Sequence, residues 1–125
     1  MAAIVIDASA LAAVAFAEPS SADVAAELAG AERVVAPPLL WFELANICWK
    51  KVARHPNQRE WLLRRLTRAL DLSVELIQVD YREVTVLALE TGLTAYDASY
   101  LWLARHVDAE LLTLDERLAA AAHKE

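Results

Sequence analysis

Only two glycines and four prolines occur in 125 residues, so the chain has little flexible linker, and no repeat or low-complexity tract breaks it up. One domain with one core fits that length. A lone cysteine, Cys48, excludes an internal disulfide and a cysteine-based zinc site; a reducing, cytoplasmic setting is the expectation. Long apolar runs are missing too. The longest, Ala8 to Ala17, is interrupted by Ser9 and falls well short of the ~20 residues that cross a bilayer. No basic segment precedes it, and Asp7 adjoins it, which argues against a signal peptide. Nor is there an excess of positive charge. A net charge of −6 excludes a protein that coats nucleic acid by charge alone.

What is present is apolar residue in surplus, 58% of the chain with a mean hydropathy of +0.29. That is more than a core of this size needs, and it implies an apolar surface kept for a partner. Charge is unevenly spread. Lys50, Lys51, Arg54, Arg59, Arg64, Arg65 and Arg68 are seven of the twelve basic residues and share one short segment with a single acid, Glu60. A solvated helical face explains such a run; a surface turned towards a polyanion is the sharper reading, with Lys50, Lys51, Arg54, Arg64, Arg65 and Arg68 as its RNA-binding candidates.

Ala3–Ile6 is short, apolar and partly β-branched, which predicts a buried strand. Helices are expected over Ala10–Ala17, from Ser20 or Ser21 to Ala29, over about Leu39–Arg54 and over about Gln58–Leu72. The last two would form a hairpin broken before Pro56. Strands are expected at Val34–Ala36, Val74–Val79 and Leu111–Thr113, and further helices at Tyr81–Thr91, Ala95–His106 and Asp115–His123. Strands alternating with helices predict an α/β layer fold with a parallel sheet. Sites in such sheets form beyond the carboxyl ends of the strands, where Asp7 and Asp115 fall.

Each acid has an ordinary structural role available. Asp7, Asp80 and Asp115 each precede a helix and can cap it, and Thr94 to Asp97 fits a capping box. Glu43 is more informative: with Asn46, Lys50 and Arg54 it forms one polar stripe on an otherwise apolar helix. Position nominates Asp80 as readily as Asp7, so periodicity alone does not select a site. His55, His106 and His123 are scattered and suggest no catalytic pair. Trp41, Trp49, Trp61 and Trp102 more readily fill a core or a partner surface than stack on bases.

Four strings narrow the choice: Ile4-Val5-Ile6-Asp7-Ala8-Ser9, Trp41-Phe42-Glu43-Leu44-Ala45-Asn46, Tyr96-Asp97-Ala98-Ser99-Tyr100 and Leu112-Thr113-Leu114-Asp115-Glu116-Arg117. In order and spacing they resemble the acidic motifs of PIN domains, above all those of VapC-type toxins from toxin–antitoxin systems. The resemblance implies a four- to five-stranded parallel sheet and a metal-dependent endoribonuclease using Mg²⁺ or Mn²⁺. It places Asp7, Glu43, Asp97 and Asp115 at the acidic positions, as catalytic residues and metal ligands, and Ser9, Asn46 and Thr113 in support. It further implies homodimerisation and neutralisation by a small antitoxin protein, for which Trp49 and Trp61 on the hairpin offer a docking face. Asp80 matches none of the acidic positions. A catalytically weak PIN scaffold that only binds RNA or protein is the alternative, and DNA would suit the same metal chemistry. A phosphoacceptor receiver domain fits poorly, because Asp7 has Ile6 and Ala8 as neighbours and no adjacent acid.

Overall fold

A computed structural model describes residues 2–124. Among them, four parallel strands run in the order β3-β2-β1-β4, with seven α-helices around the sheet. The strands are β1 (Ala3–Ile6), β2 (Arg33–Ala36), β3 (Glu75–Leu76) and β4 (Glu110–Leu112). The helices are α1 (Ala8–Ala15), α2 (Ser21–Ala29), α3 (Leu40–Arg54), α4 (Arg59–Leu70), α5 (Tyr81–Thr91), α6 (Ala95–His106) and α7 (Glu116–His123). None of these helices is long and apolar enough to cross a membrane.

β1 is central and its Ile4, Val5 and Ile6 are all buried, as expected for a parallel strand covered on both faces. The chain leaves β1 towards β2 on one side and later adds β4 on the other, so the order reverses between β1 and β4. Asp7 follows β1 and Thr113 follows β4 at that reversal. In such sheets a crevice opens there.

The expected strand over Val74–Val79 shrinks to Glu75–Leu76, paired with Val35 and Ala36. β2 ends at Ala36 because Pro37 has no N–H to continue the ladder. Ile77 makes one last bond to the Ala36 carbonyl at 2.9 Å, and Val79 then turns into the core, 6% exposed. The first helix begins at Ala8 rather than Ala10, because Asp7 caps it, and it ends at Ala15. Ala17 follows with a positive φ of 53°, ahead of Pro19. At the other end of the chain, Gly92 adopts a φ of +75° to close α5, a conformation glycine takes without a Cβ penalty.

The α3–α4 hairpin forms as expected and puts Leu40, Leu44 and Cys48 into the core at intervals of four. The basic run does not form one patch, however. Arg65 on α4 donates from Nε to the Ala15 carbonyl at 2.6 Å and from a terminal nitrogen to that of Val14 at 3.0 Å. It therefore supplies a donor to the Ala15 carbonyl at the end of α1 and a second one to the Val14 carbonyl, which also accepts from the Ala17 N–H at 3.4 Å. Lys51 bonds Glu18 at 2.7 Å and lies 5.7 Å from the Phe16 ring centroid. The expectation that Arg65 and Lys51 face RNA is thus corrected: both hold α1 and its following turn against the hairpin. Arg54, Arg64 and Arg68 remain exposed and do not line the acidic cavity described below. Removing the guanidinium in Arg65→Ala should lower unfolding free energy by about 1–3 kcal/mol, the usual effect of stranding half-buried acceptors; urea denaturation of the two proteins checks it.

Candidate active site

Four segments far apart in the chain supply one acidic cavity of about 450 Å³, with Asp7, Glu43, Asp97 and Asp115 in its wall. Asp7 is delivered by the end of β1 and Glu43 by the first turn of α3. Asp97 comes from the first turn of α6 and Asp115 from the junction of β4 with α7. Asn46, one turn along α3 from Glu43, and Lys50 beyond it also line the cavity, so three of the four polar positions of that stripe face it. Phe42 and Tyr96 form exposed aromatic rims.

Asp7 is the buried centre, 4% exposed. Its Oδ1 accepts from the Ser9 hydroxyl at 2.7 Å and the Ala10 N–H at 3.0 Å, while Oδ2 accepts from the Thr113 hydroxyl. An ionised carboxylate has roughly four lone-pair directions, so these donors fix the group and leave little spare capacity. The same hydroxyls accept in turn: Ser9 from the Leu114 N–H at 3.0 Å, and Thr113 from the Asp115 N–H at 3.0 Å. Ser9 and Thr113 thereby lock the end of β1 to the end of β4, setting the distance between two of the acids.

The capping roles are present as well. Asp7 caps α1, and Asp115 caps α7 through the Leu118 N–H at 3.0 Å. Thr94, not Asp97, caps α6 by accepting from the Asp97 N–H at 3.1 Å. Asp80 caps α5 through Glu83 and lies outside the cavity. Local capping and a shared cavity are compatible, because a cap uses one face of the carboxylate.

Glu43 has a partner that spacing did not reveal. The Tyr100 hydroxyl donates to its Oε1 at 2.5 Å, from a ring 1% exposed. Tyr100 lies three residues after Asp97 on α6, so one helix supplies both an acid and the donor that orients another. Tyr100 belongs to an apolar stretch of a mostly buried helix, and its sequence context reads as core; only the packing of α3 on α6 shows the second role. No histidine lines the cavity, and His106 stacks on Trp102 with ring centroids 4.6 Å apart.

Burial raises the pKa of Asp7 above its ordinary 3.8, against the lowering effect of its three donors, and the negative charge of Asp115 adds to the rise. Glu43 is raised chiefly by burial, against the Tyr100 bond, with the charges of Asp97 and Asp7 contributing. Asp97 is raised by burial and by Asp115, against Thr94 and the Arg117 cation. Tyr100 is held firmly protonated by burial and by Glu43. Desolvated carboxylates that repel one another favour either a proton or a cation.

The donors are all oxygen, which suits a hard divalent cation. Among the described residues no group of three His, Cys, Asp or Glu side chains is arranged as it stands to hold a metal ion. An ion held here would keep much of its water and take only one or two carboxylates directly, as Mg²⁺ commonly does.

Comparison with known proteins identifies the family and the fold. Ribonuclease VapC3 of Pyrobaculum aerophilum is 33% identical over 120 residues, covering 93% of this chain and 92% of that protein. The crystal structure of PAE2754 from Pyrobaculum aerophilum superposes with a TM-score of 0.80 at 29% identity, over 98% of this chain and 86% of that one. Residues 4–124 match the PIN domain family, and with a sheet and an acidic crevice of this form the chain belongs to that family.

Proposed function

We propose that this protein is a metal-dependent endoribonuclease whose catalytic residues are Asp7, Glu43, Asp97 and Asp115. The observation that carries this reading is the convergence of four acids from separate segments on one cavity. The 33% identity to a protein named as a ribonuclease favours RNA as the substrate. Mg²⁺ or Mn²⁺ would be held by Asp7, Asp97 and Asp115, one or two of them directly and the rest through water, and Glu43 would complete a second position or orient the attacking water. A divalent cation, when bound, lowers the pKa of water and offsets charge on the phosphate.

The side chains divide the remaining work. Ser9, Thr113 and the Ala10 N–H keep Asp7 in one orientation, so little reorganisation is needed when substrate arrives. Glu43, with Oε1 held by Tyr100, takes the proton of the attacking water. Its raised pKa makes it a better base than an ordinary glutamate at neutral pH. Lys50 and Asn46 stand along the cavity wall to meet phosphate oxygens. The water oxygen bonds to phosphorus as its proton goes to Glu43, the bond from phosphorus to O3′ breaks, and solvent water protonates O3′ while Glu43 returns its proton to solvent. The ribose 2′-hydroxyl takes no part. The purified protein should cut a single-stranded RNA only when Mg²⁺ or Mn²⁺ is added, leaving 5′-phosphate and 3′-hydroxyl ends; a 2′,3′-cyclic phosphate, or undiminished cutting in EDTA, would refute the mechanism.

Tyr100→Phe tests the positioning of Glu43. Loss of an outer hydrogen bond of this kind commonly lowers activity by about 10- to 100-fold. Because the lost donor lowers the Glu43 pKa, the acid limb of the rate profile should also move to higher pH. A slower enzyme with an unmoved profile would assign Tyr100 to packing alone.

We further propose that the protein is a cytoplasmic toxin, active as a homodimer and neutralised by a cognate antitoxin. Trp49 and Trp61, 66% and 40% exposed on the hairpin, supply apolar surface for that partner. A short neighbouring reading frame encoding a small DNA-binding protein that copurifies with this chain would support the pairing.

A further inference from the structure

Beside the acidic cavity lies a second, smaller cleft of about 220 Å³, room for about seven waters at ~30 Å³ each. Its floor is apolar, from Leu39, Val79 and Val84, and its sides carry the rings of Tyr81 and Tyr96. Leu39 and Tyr96 line both cavities, so the two lie side by side and share these residues as a common wall. Tyr81 and Tyr96 are 67% and 66% exposed, unusually open for rings that have a cleft beside them. Tyr81 is also set in place: Gln78 donates from Nε2 to its hydroxyl at 2.8 Å, which leaves the tyrosine hydrogen available to a ligand. The Thr85 and Ser99 hydroxyls are already spent on the carbonyls of Tyr81 and Tyr96, at 2.7 and 2.6 Å, and so turn only acceptor lone pairs elsewhere.

Resting on the ribonuclease reading, we propose that this cleft is a base-binding subsite, which holds one unstacked nucleobase adjoining the scissile phosphate. A flat ring suits a narrow apolar slot with aromatic sides, and every base offers a face for stacking. The acidic cavity itself repels the RNA backbone until a cation is present. Uncharged contact with a base next to the cut therefore supplies attraction that the four carboxylates cannot. A base inside a duplex is stacked and paired, and entry to the slot requires neither, so the subsite selects single-stranded RNA.

The test pairs protein and substrate changes. Single-stranded RNAs carrying one abasic ribose at successive positions around the cut are compared for the wild type, Tyr81→Ala and Thr85→Trp; neither residue lines the acidic cavity. One position should lower wild-type kcat/KM by about tenfold, the size of a single stacked base. Both variants should lose a similar factor on intact RNA and little more on that abasic RNA. Wild-type cleavage indifferent to every abasic position overturns the subsite and leaves the nuclease intact. Losses that multiply, with the variants equally impaired on intact and abasic RNA, or a variant whose sedimentation shows an altered oligomer, also overturn it and make the cleft a contact between copies. Absence of metal-dependent cleavage in the wild type, by contrast, removes the nuclease reading on which the subsite stands.

Discussion

Asp7→Asn should reduce RNA cleavage by at least 10²- to 10³-fold, the scale lost when one charge-stabilising group is removed from a preorganised site. The protein should stay folded. Asparagine keeps the shape of aspartate, and its carbonyl oxygen still accepts from Ala10 N–H and the Ser9 hydroxyl. Its amide then faces Thr113, whose hydroxyl can rotate to accept. What disappears is the charge. Because burial disfavours that charge, the variant without metal should melt no lower than the wild type and can melt higher. Cleavage assays at saturating Mn²⁺, alongside thermal melts in EDTA, separate the two effects. Equal cleavage by variant and wild type would mean that the activity belongs to a contaminant, leaving a scaffold that binds without cutting. Lost cleavage together with lost folding would mean that Asp7 serves chiefly as the cap of α1.

A divalent cation should raise the melting temperature of the wild type at neutral pH by about 10 °C. Occupancy at a hundredfold excess over Kd contributes about 2.7 kcal/mol, and a chain of this length gains about 4 °C per kcal/mol. Protons should act in the same direction in the metal-free protein. Asp7, Glu43 and Asp97 all have folded pKa values above their ordinary 3.8, 4.5 and 3.8. Their protonation thus favours the fold: the contribution is complete below those ordinary values and is lost as pH rises through the raised ones. In EDTA, lowering the pH from neutral towards those raised values should stabilise the protein. In Mg²⁺ or Mn²⁺ the slope should flatten, and the cation effect should fade at acid pH as its ligands protonate. Asp97→Asn should lose much of the cation response and only its own share of the pH response. An unchanged cation response in that variant would remove Asp97 from the ligand set, and a metal-free wild type that weakens steadily on acidification would show that burial and crowding do not disfavour these charges as placed.

Both predictions depend on carboxylates that the fold first buries and then crowds. Such a site opposes stability, and the surrounding structure offsets it. Ser9, Thr113 and Tyr100 orient two of the acids by hydrogen bonds, while β1 and α1 supply a core with Val5, Ile6, Ala10 and Ala13 fully buried. The basic residues show the opposite outcome. Arg65 and Lys51 occupy positions that spacing places beside Arg64 and Lys50, yet they face the body of the protein and stabilise it there. Successive residues on a helix point about 100° apart, so a cluster in sequence is divided among faces by geometry.

The sequence by itself determined the α/β alternation, the capping at Asp7, Asp80, Thr94 and Asp115, and the choice of Asp7, Glu43, Asp97 and Asp115 as candidates through their resemblance to PIN-domain motifs. Capping and periodicity are local properties, governed by a few neighbouring residues, and local patterns are readable in a string. Tertiary structure alone decided that these acids share one cavity, that Tyr100 holds Glu43, that β3 stops after two residues, and that Arg65 belongs to α1. Each of those depends on groups far apart in the chain: 40 residues between Ala36 and Leu76, 50 between Ala15 and Arg65, and 57 between Glu43 and Tyr100. Their meeting is set by how helices and strands pack, and no local pattern encodes that.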